Sequence, residues 1–90
     1  MIEKISRKIL EEKLSNILEE SKDYIAYIAT TYNNFNSPHE GYAIILDELD
    51  ELWSEIKKDP SNRNTIEMSH ECKRIIAAAT CFMLYCCQNN

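Results

Sequence analysis

Apolar residues recur at helical spacing along three separate segments of the chain. In the first, residues 2–32, Ile, Leu and Tyr side chains return every three or four positions, and Gly and Pro are absent. This spacing predicts one long amphipathic helix, with Ser21 as a candidate break point. An Asn-rich loop follows. It leads into Ser37 and Pro38, which have the form of an N-cap and a first helical residue.

The second predicted helix therefore covers residues 38–57. Glu40 is expected to act as the capping-box acid that reaches back to the N-cap. Gly41 lies in the first turn, where it costs up to ~1 kcal/mol relative to alanine. A glycine at this point would admit the close approach of another backbone or of a ligand.

The third predicted helix covers residues 63–87 and is apolar on almost all sides from Ile75 onward. Two neighbouring helices of one subunit cannot easily cover such a helix, whereas a second subunit can. The sequence thus predicts an all-α domain over residues 1–90, a small bundle of about three helices completed by a homodimer or higher homo-oligomer through the first and third helices. The expected apolar stripe of the third helix consists of Met68, Cys72, Ile75, Ile76, Ala79, Phe82, Met83 and Cys86.

Composition agrees with this fold class. The 90 residues include one Gly and two Pro, too few for the many turns of an all-β domain. The charged N-terminus lacks the apolar core of a signal peptide, and no apolar run reaches the ~20 residues of a membrane span. We therefore expect a cytoplasmic protein without membrane contact.

The four cysteines, all in the last 19 residues, are expected to be reduced thiols packed as small apolar groups.

Charge is distributed unevenly along the chain. The formal net charge is −5, and the stretch from Asp23 to Ile56 holds seven acidic residues with no Lys or Arg. Such a surface repels the phosphate backbone, so nucleic-acid binding is not expected. It is suited instead to divalent cations and, through them, to phosphates.

Four of these acids share one face of the second helix. At 100° per residue, Asp47, Glu48, Glu51 and Glu55 lie within an arc of roughly 100°, and the apolar residues occupy another arc. A solvated face is the ordinary explanation of such an arrangement. However, the pairs Asp47–Glu51 and Glu51–Glu55 repel each other at i,i+4 with no lysine between them. Mg²⁺ would offset that repulsion.

The third helix offers further acids. Glu67 and Glu71 are one turn apart, and Glu71 borders the apolar stripe, so its carboxylate is expected to point between helices. His70 lies on the same side. From spacing alone, an ordinary polar helix start explains Glu67 and Glu71 as well as a metal site does.

The stretch NSPHEGYAIILDELDELWSEIKK, followed after a short loop by ECKRIIAAA, resembles the MazG-like nucleoside triphosphate pyrophosphohydrolases. That family is all-α, and its signature is E-E-x-x-E followed after a spacer by E-x-x-D. The run from Asp47 to Glu51 fits the first half, with Asp in place of the leading Glu. Glu71 follows Glu51 after nineteen residues. The resemblance covers residues 36–79, about half of the chain.

The resemblance implies a Mg²⁺-dependent hydrolase that cleaves a nucleoside triphosphate into a monophosphate and pyrophosphate. It implies Glu48, Glu51 and Glu71 as metal ligands, and Asp47 as a residue that assists them by orienting the attacking water. The fourth acid of the family would fall at position 74, where this chain has Arg74. Arg74 and its neighbour Lys73 are then candidates for contact with substrate phosphate.

The same residues are compatible with other functions. Arg74 favours a second hypothesis, a catalytically inactive helical module that binds a nucleotide or another protein. A purely structural dimerisation domain is a third. A shifted match with Glu67 and His70 as the last pair is less favoured, because the Ile-Ile-Ala-Ala-Ala run suits Glu71 better. Three aromatic residues could stack on a base but are expected in the core: Tyr24, Tyr42 and Trp53.

Overall fold

The computed structural model describes residues 6–31 and 35–88. These residues form three α-helices and no strand: α1 (Arg7–Thr31), α2 (Pro38–Ile56) and α3 (Thr65–Cys86). The predicted all-α class with three helices is therefore confirmed. α1 runs through Ser21 without a break. The predicted start of the first helix near Ile2 and its end at Tyr32 lie outside the described residues.

The starts of α2 and α3 follow from their capping side chains. The Ser37 hydroxyl accepts a hydrogen bond from the backbone N–H of Glu40 at 3.2 Å, as predicted for the N-cap. The Glu40 carboxylate accepts from the Asn36 side-chain amide at 3.0 Å, so the expected reach back to Ser37 is replaced by a side-chain contact. α3 begins two residues later than predicted, because Asn64 is its N-cap and accepts from two backbone N–H groups.

α3 is the central element, and both α1 and α2 pack against it. Among the described residues, α1 and α2 make no direct packing contact with each other. A one-turn 3-10 helix, Pro60–Asn62, lies in the connection from α2 to α3. The core of the described residues is small, and its buried apolar members are Ile28, Phe35, Ile44, Ala77, Ala78 and Cys81.

The predicted apolar stripe of α3 is wrong in part. Cys72 and Met83 are exposed, whereas Ala77, Ala78 and Cys81 are completely buried. The reason is the central position of α3 between two helices. Small side chains allow two backbones to approach it closely, so these residues, rather than the bulkiest ones, define its buried surface.

The four cysteines are free thiols, as expected. Cys81 is completely buried, its Sγ atom lies 3.8 Å from the Ile25 carbonyl oxygen, and burial raises the pKa of its thiol. Cys86 is half-buried. Cys72 and Cys87 are exposed, so the expectation that all four thiols would pack as apolar groups is wrong for these two.

Gly41 makes room for aromatic rings. A Cβ atom at this position would lie 2.6 Å from Phe82 and 2.9 Å from Phe35. The predicted close approach is therefore made by side chains of α3 and of the loop before α2, rather than by a backbone or a ligand. The Phe35 ring in turn packs edge-on against Tyr85 of α3.

The substitution Gly41→Ala should destabilise the fold. Alanine gains up to ~1 kcal/mol of helix propensity, but overpacking against two rings costs about 1–3 kcal/mol. We expect the free energy of unfolding to fall by about 1 kcal/mol, measured by urea denaturation. Combining Gly41→Ala with Phe82→Leu should recover part of the loss. A Gly41→Ala variant more stable than wild type would contradict this packing.

The chain exposes a large area for its size. Its accessible surface is 7077 Å², whereas a compact monomer of this mass is expected to expose roughly 5,400 Å². The radius of gyration, 15.3 Å, likewise exceeds the value of about 12 Å expected for this length. Tyr42 and Trp53, expected in the core, are more than half exposed. No helix in the described part of the chain is long and apolar enough to cross a membrane.

Candidate metal centre

Three carboxylates converge where α2 packs against α3. Glu48 and Glu51 lie one turn apart on α2, and Glu71 faces them from α3. One carboxylate oxygen of each residue lies within 4.8 Å of one oxygen of each of the others. In residues 6–31 and 35–88, this is the one group of three or more potential ligand side chains with such spacing.

Two of these carboxylates are buried in a way that calls for a partner. Glu71 is only 5% exposed, and Glu48 is half-buried. When all three glutamates are ionised, the Oε2 atoms of both residues are inaccessible to solvent and accept no hydrogen bond. A proton held between the Glu48 and Glu71 carboxyl groups would instead link these two side chains by a hydrogen bond. A buried carboxylate oxygen without a donor is costly, since it has lost its water and gained nothing in return.

Arg74 supplies the positive charge at the cluster. Its Nη1 atom donates to Glu71 Oε1 at 2.7 Å and lies 3.8 Å from Glu51 Oε2. One guanidinium faces three carboxylates, so two negative charges remain uncompensated when all three are ionised. A divalent cation would balance them.

The electrostatics of the acids reflect this crowding. The pKa of Glu48 is raised by burial and then by the charge of Glu51. The pKa of Glu51 is raised by burial and then by Glu71. Asp47, which is exposed beside them, raises both values further. The ionised cluster is therefore strained in the absence of a cation.

Glu55 does not belong to this cluster, although the helical count placed it on the same face. It is buried at the connection between α2 and α3, where Oε2 accepts from Lys58 Nζ at 2.6 Å and Oε1 accepts from the Asn64 N–H at 2.6 Å. These two hydrogen bonds lower its pKa. Glu55 thus fixes the start of α3, and its role is structural.

The remaining sequence candidates lie elsewhere. Lys73 forms an ion pair with Glu20 of α1, and no contact joins it to the three glutamates. Glu67 is exposed in the first turn of α3. The His70 ring lies 6.3 Å from the ring of Tyr24. Among the described residues, neither Glu67 nor His70 belongs to the group of clustered acids that includes Glu48 and Glu51, so the shifted match is not supported.

A cleft of about 360 Å³ lies beside the cluster, between α1 and α3. It is lined by Asp23, Tyr24, Tyr27 and Arg74. The Arg74 guanidinium lies 5.8 Å from the centroid of the Tyr24 ring, so one side chain borders both the cleft and the carboxylates. Of these residues, Asp23 and Tyr27 were not identified from the sequence, because their proximity to Arg74 depends on how α1 packs.

The donor set fits a hard divalent cation. All three side chains offer oxygen only, and two of the oxygens are buried without a partner. Mg²⁺ and Ca²⁺ prefer oxygen ligands, whereas Zn²⁺ sites are usually built from His and Cys. Glu48, Glu51 and Glu71 are the residues that would hold the ion.

We expect Mg²⁺ to raise the melting temperature more at pH 7.5 than at pH 5. Because the pKa values of Glu48 and Glu51 are raised by folding, their contribution to stability in metal-free protein is greatest at low pH and is lost as pH rises. Mg²⁺ binds the deprotonated form and reverses this loss. Differential scanning fluorimetry at both pH values measures the effect.

The variant that tests Glu48 as a metal ligand is Glu48→Gln. It should raise the melting temperature of metal-free protein at pH 7.5 and reduce the response to Mg²⁺, because it removes both a strained charge and a ligand. An equal response to Mg²⁺ in the variant and the wild type would contradict the assignment.

In comparisons with protein-family models, with curated proteins and with solved structures, nothing matches this chain.

Proposed function

We propose that this protein is a Mg²⁺-dependent nucleoside triphosphate pyrophosphohydrolase, acting as a homo-oligomer in the cytoplasm. The observation that carries the proposal is the convergence of Glu48, Glu51 and Glu71, with two buried oxygens that have no donor. These are the positions that the resemblance to MazG-like proteins implies as metal ligands.

Each residue of the site has a chemical role in this proposal. Mg²⁺ held by the three glutamates would neutralise phosphate charge and polarise a water for in-line attack. The Asp47 carboxylate, exposed beside them, would accept a hydrogen bond from the attacking water and orient it. The Arg74 guanidinium, with its side chain 37% exposed, donates to a phosphate oxygen of the substrate.

The direct test is pyrophosphate release from a panel of standard and modified nucleoside triphosphates, with Mg²⁺ and with a chelator. We expect turnover of at least one nucleotide that requires the metal. Pyrophosphate, rather than orthophosphate, should be the product. A panel without turnover would overturn the enzymatic proposal. It would not exclude the metal site, which Mg²⁺ binding tests independently.

One observation favours a second candidate, a catalytically inactive module that binds a nucleotide or a protein. Arg74 occupies the position of the fourth acid, and its Nη1 donates to Glu71 at 2.7 Å. Its positive charge thereby offsets part of the carboxylate charge that would otherwise attract a cation. The two candidates differ in the effect that an acid at position 74 would have on activity.

We further propose that a second copy of the chain covers its exposed apolar faces. Thirteen large apolar side chains in the described part of the chain are exposed, so a second copy has apolar surface to cover. The first half of α1 contributes no buried apolar residue. Four of its exposed residues are Leu10, Leu14, Ile17 and Leu18, and α2 exposes Tyr42, Leu46, Leu49 and Trp53. The sequence predicted α1 and α3 as the interface helices, but only three large apolar residues of α3 are exposed, Ile66, Met83 and Leu84, so we propose α2 in its place.

Light scattering should give wild-type protein at least twice the mass of one chain. Leu14→Glu places a charge in the exposed face of α1 and should shift the mass towards that of a monomer. The matched control is Ser15→Glu, which adds the same charge one position further on. A monomeric wild type, or equal masses for the two variants, would contradict this assembly.

A further inference from the structure

The cleft between α1 and α3 combines two tyrosine rings with one arginine and one aspartate. Its volume of about 360 Å³ is at the lower end of the range for small-molecule sites. One tyrosine of its lining, Tyr27, is 59% exposed, so a ring face is accessible. The other, Tyr24, is already covered by the Arg74 guanidinium.

Arg74 joins this cleft to the carboxylates. Its Nη1 atom contacts Glu71, and its guanidinium carbon lies over the Tyr24 ring. A ligand with an aromatic ring in the cleft and an anionic group at Arg74 would therefore bring that anion next to the three glutamates. Nucleotides have this composition.

We propose that the cleft is the nucleobase subsite, in which the base stacks on Tyr27 and donates hydrogen bonds to Asp23. This inference rests on the proposed function and names its substrate class. Aromatic side chains are common stacking partners for unpaired bases. An ionised Asp only accepts hydrogen bonds, so it selects bases that present N–H groups to it.

That selection ranks the bases. Guanine presents a ring N–H and an amino group side by side, which match the two oxygens of a carboxylate. Cytosine and adenine each present one amino group. Uracil and thymine present a single ring N–H flanked by two carbonyl oxygens, which a carboxylate repels. We expect guanine nucleotides to bind most tightly and uracil nucleotides most weakly.

The test uses binding without chemistry. GMP, AMP, CMP and UMP, which have no anhydride bond to hydrolyse, are titrated calorimetrically into the full chain in the presence of Mg²⁺, which offsets the charge of the glutamates beside the phosphate. Tyr27→Ala should weaken GMP binding by roughly 5- to 150-fold, the range that corresponds to loss of one stacked base. Tyr27→Phe keeps the ring and should retain binding.

Asp23→Asn should reduce the ratio of GMP to UMP affinity by about tenfold or more, because a neutral amide has one acceptor oxygen. Asp50→Asn, an exposed acid of α2 outside the cleft, is the matched control and should leave the ratio unchanged. Asp23 and Tyr27 are exposed, so these variants should fold, which circular dichroism checks.

The outcomes separate this inference from the proposed function. GMP binding that depends on Tyr27 and Asp23 supports the subsite even if no triphosphate is hydrolysed. Hydrolysis whose KM is unchanged by Tyr27→Ala would overturn the subsite and leave the proposed function intact. Absence of binding of all four monophosphates to wild type would also overturn the subsite.

Discussion

Glu71→Gln should reduce pyrophosphate release by at least about a hundredfold in kcat/KM, a loss typical of removing an electrostatic contact made in the transition state. Glu71 is the only one of the three clustered glutamates supplied by α3, and it is 5% exposed. Glutamine keeps the size of the side chain but removes the charge. Neither Glu48 nor Glu51 can replace it, because both are on the opposite helix.

The matched control for Glu71→Gln is Glu67→Gln. Glu67 lies one turn earlier on α3, is exposed, and stands outside the cluster. The same chemical change at that position should leave kcat/KM within about twofold of wild type, as surface substitutions usually do. Equal losses in the two variants would indicate a general effect on α3 rather than removal of a ligand.

Arg74→Gln should lower kcat/KM while tightening Mg²⁺ binding. The first effect follows from the loss of a charge-assisted hydrogen bond to phosphate, about 1.5–3 kcal/mol or roughly 10- to 150-fold. The second follows because the Arg74 guanidinium, 2.7 Å from Glu71 Oε1, offsets part of the negative charge that would attract the cation. Steady-state kinetics and calorimetry measure the two effects on one variant.

Arg74→Asp separates the enzyme from the inactive module. In a working site the new acid lowers existing activity, because the phosphate contact is lost. If the wild type has no turnover and Arg74→Asp creates it, the natural protein is the inactive module, in which Arg74 stands in place of an acidic metal ligand. We expect the first result.

Much of the fold follows from local pattern. Helical periodicity and the capping residues Ser37 and Asn64 determine where the helices lie, and these signals are all within a few residues of one another. The local sequence does not determine which face of α3 is buried. Its buried face depends on two neighbouring helices, which favour Ala77, Ala78 and Cys81 over larger side chains.

The candidate site likewise follows in part from local spacing and in part from packing between helices. The helical count placed Glu48 and Glu51 together on α2, and Glu71 was expected between helices because it borders the apolar stripe. Glu55 was misplaced because the count ignores the loop after α2, whose Lys58 and Asn64 hold its carboxylate. The cleft with Asp23 and Tyr27 depends on the packing of α1, which no local spacing encodes.

The central claim is that Glu48, Glu51 and Glu71 form one divalent cation site, and calorimetric titration with Mg²⁺ tests it most directly. Wild type and Glu67→Gln should each bind Mg²⁺ with the same affinity, and Glu71→Gln should bind it at least about tenfold more weakly, as expected for loss of a buried charged ligand. A wild type that binds no Mg²⁺, or a Glu71→Gln variant that binds as tightly as wild type, would contradict the account.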